Sequence, residues 1–62
     1  MSTDQIKTIA AIVKELVELQ KLGVSGCKKA IQYVQNNPTE FTDPSLRISE
    51  AADLAIALAN MS

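Results

Sequence analysis

Four residues among 62 interrupt helices outright, Gly23, Gly26, Pro38 and Pro44, and their placement constrains this chain more than any other feature. They leave a long stretch from Gln5 to Leu22, a shorter one after Gly26 and a last one after Pro44. Ser2, Thr3 and Asp4 offer N-caps to the first stretch, which predicts a helix from about residue 4 to 22, ended by Gly23. Ser25 as N-cap predicts a second, short helix over about 26–36 that buries Cys27, Ala30, Ile31 and Val34, with Asn36, Asn37 and Pro38 stopping it. Residues 37–43 read as a loop, in which Phe41, a lone aromatic among polar neighbours, should tuck onto the core. Asp43 as cap, Pro44 at the first position and Glu50 in the second turn predict a third helix over about 44–60.

The expected fold is therefore all-α, one domain over 1–62: a long first helix, a short second and an Ala-rich third. Two of these helices carry more apolar surface than one chain of this size needs. On a wheel at 100° per residue, Lys7, Thr8, Ala11, Lys14, Glu15, Glu18 and Lys21 share one side of the first helix. Ile6, Ile9, Ala10, Ile12, Val13, Leu16, Val17 and Leu19 fill the opposite half. In the third, Ala51, Ala55 and Ala59 form a small-residue stripe flanked by Leu54, Ile56, Leu58 and Met61, so nothing strongly polar appears from Leu54 until Asn60. A turn that is apolar all round should be buried all round. For a 62-residue chain the gain from burial and the cost of ordering nearly cancel, and disulfides, metals or partner chains usually supply the margin. Cys27 is the one cysteine and histidine is absent, so a partner chain is the expected source. These points predict a helical homo-oligomer, a dimer or larger, joined through Ile9, Ile12, Leu16, Leu19, Ala51, Leu54, Ala55, Leu58 and Ala59.

Composition narrows the function. With 47% apolar and 21% charged residues the chain is no disordered tail. Without histidine or tryptophan, and with Tyr33 and Phe41 as its aromatics, it lacks the side chains that nucleophile–base pairs, metal centres and cofactor pockets require. No enzyme, cofactor or metal is expected, and Cys27 reads as a small buried hydrophobe rather than a reactive thiol. No apolar run approaches membrane length and no basic start precedes an apolar stretch, so the expected setting is cytoplasmic, without a membrane partner. The net charge of −1 divides unevenly, residues 1–35 being net basic and 36–62 net acidic.

One segment breaks a local rule: Lys28 and Lys29 occupy the first turn of a helix, where the macrodipole favours carboxylates. With Ser25 and Gly26 allowing close approach and Tyr33 one turn beyond, these residues are the candidate anion site, for a phosphate-bearing ligand such as a nucleotide or nucleic acid. The full phosphate-loop pattern and its preceding strand are absent. Leu22-Gly23-Val24-Ser25 also resembles the turn of a helix-turn-helix DNA-binding motif, which implies residues 27–36 as a recognition helix. The resemblance covers about 18 residues. Leu19 stands where the motif takes a small residue, Lys29 where it takes a buried aliphatic, and the phase of Cys27, Ile31 and Val34 is shifted. The leading expectation is a small non-enzymatic regulator, inhibitor or adaptor, of the size common among phage regulators, that binds a protein partner and itself. The alternative is the phosphate-ligand binder.

Overall fold

The computed structural model describes residues 2–61, which form three α-helices and a short 3-10 turn, with no strand among them. Helix α1 spans Thr3–Lys21, α2 Cys27–Asn36 and α3 Ile48–Met61. The start of α1 is a capping box: Gln5 N–H donates to Ser2 Oγ at 3.3 Å and Ser2 N–H to Gln5 Oε1 at 3.1 Å. At its other end Gly23 takes φ 91°, so that its N–H reaches Gln20 O and the Val24 N–H reaches Leu19 O at 3.0 Å, satisfying carbonyls the helix leaves open.

Two helix starts differ from the sequence expectation. Gly26, not Ser25, caps α2: it adopts φ 83°, no side chain caps the helix, and the first helical bond runs from Ala30 N–H to Gly26 O. A side chain at Gly26 would collide with the Asn60 amide, so this backbone conformation and this approach both call for glycine. The third helix begins at Ile48 rather than near Pro44. Asp43 does not cap it; its Oδ1 accepts from the Ser45 N–H at 2.9 Å and the Ser45 hydroxyl at 2.8 Å, closing a local turn. The helix starts only where Ala51 N–H reaches Arg47 O, which moves Glu50 into its first turn. Within the expected loop, Pro38–Glu40 forms the 3-10 turn that delivers Phe41 to the core.

The helices run up, down and up. Gly26 at the start of α2 lies against Asn60 at the end of α3, while Asp4 and Thr8 of α1 share a groove with Ile48 at the start of α3. The core joins Ile12 and Leu16 of α1, Ala30 and Val34 of α2, Phe41, and Ala51, Ala52, Ala55 and Ala59 of α3. Cys27 is buried with its thiol directed at the Val24 carbonyl, 3.4 Å away. Phe41 is fully enclosed and meets Tyr33 edge to face, with centroids 5.8 Å apart and planes at 83°. Ile31, expected to be buried, is half-buried. No buried side-chain polar atom among the described residues lacks a hydrogen-bond partner. No helix among them is long and apolar enough to cross a membrane.

Candidate interaction surfaces

The alanine stripe of α3 faces inward, which lets α3 lie close to its neighbours but leaves its larger side chains elsewhere. Leu54 is 38% exposed and Met61 81% exposed, while Ile56 and Leu58 only partly cover themselves on the core. Leu54, Ala57 and Met61 share one face by helical spacing, and all three are exposed. The expectation that the last turns of this helix are buried all round is therefore not met within the chain. On α1, Ile12 and Leu16 are fully buried, Ile9, Val13 and Leu19 pack partly on the core, and Ile6 remains 54% exposed. The width of the α1 face has an internal explanation, since both α2 and α3 pack against it.

This placement sorts the nine residues expected to join subunits. Ile12, Leu16, Ala51, Ala55 and Ala59 are consumed by the chain's own core and have almost no surface left in this conformation. Ile9, Leu19 and Leu58 offer part of their surface, and Leu54 is exposed. The expected interface had not included Leu22 and Val24, which are 80% and 41% exposed in the turn between α1 and α2. Their signal was the turn itself, which a wheel drawn on either helix leaves out.

The five residues of the anticipated anion site are only partly brought together. Lys29 and Tyr33 line an open groove of about 310 Å³ with Gln32, Asn36, Asn37 and Ala59. Ser25, Gly26 and Lys28 lie outside that lining. Gln32 and Asn36 were legible in principle, being one and two turns from Lys29 on the same face. The Tyr33 ring is engaged with Phe41, and the nearby Glu40 carboxylate, which as an acceptor favours the protonated phenol, pushes the Tyr33 pKa up, with desolvation and the Glu40 charge adding to the shift. At the start of α2, the Asn60 side chain occupies the space over Gly26.

The two lysines that break the dipole rule acquire a local reason. The N-terminus of α2 shares its end of the bundle with the C-termini of α1 and α3, whose partial negative charges outnumber its positive one. Lys21, Lys28 and Lys29 suit that end as a whole. The helix-turn-helix resemblance does not extend to the packing, because Lys29 is exposed where the motif buries an aliphatic residue.

A second groove, of about 360 Å³, lies at the other end of the molecule between α1 and the 42–48 connection. Asp4, Gln5, Thr8, Thr42, Asp43, Pro44, Leu46 and Ile48 line it. Its two sides are about forty positions apart in the chain, so no local pattern signals it. The Ser45 amide and hydroxyl that bond Asp43 hold its carboxyl below the ordinary carboxylate range. No cluster of metal-ligating side chains occurs among the described residues. Comparison with known proteins finds no matching family model, no matching curated protein and no matching solved structure.

Proposed function

We propose that this chain is a small non-enzymatic interaction module, a regulator, inhibitor or adaptor that works by contact with another protein and with copies of itself. The observation that carries this reading is the inversion of α3: four alanines complete the core while Leu54 and Met61 face outward. Exposed apolar residues that adjoin on one helix face, as Leu54, Ala57 and Met61 do, are material for a docking surface. Native mass spectrometry of gently purified protein tests the reading, run beside a Leu54→Glu, Met61→Glu variant. The expected result is an assembly or a co-purified protein for the parent chain and its loss in a variant that keeps its helical circular dichroism. An unchanged set of complexes in that variant would overturn it.

The groove beside α2 favours a second reading, an anionic ligand held by Lys29 with Lys28 nearby, because Lys29 and Tyr33 do share a cleft with three amide side chains. Titration with a nucleoside triphosphate should then shift the backbone resonances of Lys29, Gln32, Tyr33 and Asn36, and Lys28→Glu with Lys29→Glu should abolish the shifts. Unmoved resonances would dismiss it. A nucleic-acid form of this reading adds duplex binding that weakens steeply with salt.

A further inference from the structure

The fold turns an uneven sequence into a molecule with two unlike ends. One end gathers the C-terminus of α1, the α1–α2 turn, the N-terminus of α2 and the C-terminus of α3, because Gly26 lies against Asn60. It carries Lys21, Lys28 and Lys29 against Glu18, together with the exposed Leu22, Val24 and Met61. The opposite end gathers the start of α1 and the 42–48 connection into α3. It carries Asp4, Asp43 and Glu50 against Lys7 and Arg47, and it contains the groove lined in part by Pro44, Leu46 and Ile48. Arg47 is drawn toward Glu50, at 3.8 Å, so its charge is partly answered within that end.

We infer that copies of this chain associate head to tail, the basic apolar end of one docking on the acidic groove end of the next. This deepens the self-association reading above and rests on it. Both ingredients of an interface are present in complementary form: the exposed apolar Leu22, Val24 and Met61 with three lysines at one end, and a cleft lined by Pro44, Leu46 and Ile48 with two aspartates at the other. A contact between unlike ends does not close on itself as a two-fold dimer does, so it builds rings or open chains. The end is small: the molecule measures 31 × 23 × 18 Å, and an end-on contact across the two shorter dimensions falls below the ~800 Å² per partner of a standard interface. Association is accordingly weak, concentration-dependent and sensitive to salt, since the charges lie at the surface.

Sedimentation velocity across rising concentration tests this, with two variants that each spoil one end. Lys21→Glu with Leu22→Glu changes exposed positions at the basic end; Asp4→Lys with Thr8→Lys changes the rim of the groove. The parent chain should show a mass that grows with concentration and falls back as salt is added. Each variant alone should stay near the 6.7 kDa of one chain, and an equimolar mixture should recover a species of at least twice that mass, because one native junction is again available. Concentration-dependent amide shifts in the parent chain, confined to the two ends, give the same answer without any substitution. If both variants associate as strongly as the parent, end-to-end docking is wrong while self-association through another face stands. A parent chain that remains a monomer up to about millimolar concentration would remove both.

Discussion

Helices α1 and α3 look alike in the sequence, each with an apolar face too wide for one neighbour, yet the fold uses them in opposite ways. In α1 the bulky residues at the centre of the face, Ile12 and Leu16, are the ones enclosed, and exposure grows toward the flank at Ile6. In α3 the centre is alanine and the bulk lies on the flanks and outer side. The difference shows that the width of an apolar face says little about its purpose, whereas the size of the residues along its midline says a great deal. A midline of leucine and isoleucine fills space and cannot be spared. An alanine midline brings backbones together and frees the larger neighbours for other contacts.

This contrast can be broken most directly at Leu16. Truncation to alanine empties a fully enclosed position and should cost about 2–5 kcal/mol in chemical denaturation, enough to threaten a chain this short. A loss below about 1 kcal/mol would mean that the α1 midline is not the space-filling element. The reciprocal change on α3, Ala55→Leu, forces bulk into a closed seam and should cost about 1–3 kcal/mol, read as a lower melting temperature. An unchanged melting point would remove the close-packing account of the alanine stripe. One position earlier, Leu54→Ala should alter the stability of the isolated chain by no more than about 0.5 kcal/mol, because Leu54 lies outside the core cluster, while still weakening the docking of a protein partner on the outer face of α3. Adjacent residues with such different costs would mark the boundary between the inner and outer roles of α3.

The smallest effect concerns how the two helices begin. The α1 start rests on Ser2 and Gln5, neither of which titrates, while the lead-in to α3 rests on the Asp43 carboxylate. Because the Ser45 amide and hydroxyl lower the Asp43 pKa in the folded chain, its contribution is complete above the unfolded carboxylate value. It is lost as pH falls through the depressed folded value. Acid titration followed by amide resonances should therefore loosen Ser45 and the residues before Ile48 while Gln5 stays protected. Simultaneous loss at both sites, or none at Ser45, would show that the turn does not depend on that charge.

Much of the fold was legible because its punctuation is local. The N-caps offered by Ser2, Thr3 and Asp4 and the glycine after Leu22 placed α1 within about a residue at each end, and the lone Phe41 announced its burial. What misled was punctuation with two meanings. Asp43-Pro44-Ser45 suits a helix start or a free-standing turn equally, and the sequence alone does not say that the carboxylate will close on Ser45. Ser25 and Gly26 posed a similar choice, and the cap is Gly26, whose positive φ and closeness to Asn60, 34 positions away, leave no room for a side chain. The candidate surfaces were harder to read for the same reason. A wheel gives the composition of a face, but which part of it stays open depends on where the neighbouring helices lie. Lys29 and Tyr33 were found from spacing; the groove between Asp4 and Leu46 exists only after the chain has folded back.

The chain's single thiol has a practical use. Cys27 is 1% exposed at the junction where the α1–α2 turn meets the first residue of α2, so a thiol-modifying reagent reaches it only when that junction opens. The rate of alkylation then becomes a clock for opening at the basic end, where Leu22 and Met61 lie exposed. Any partner that settles there, a second copy included, should slow that clock in proportion to its occupancy, reporting the encounter without a label on either molecule.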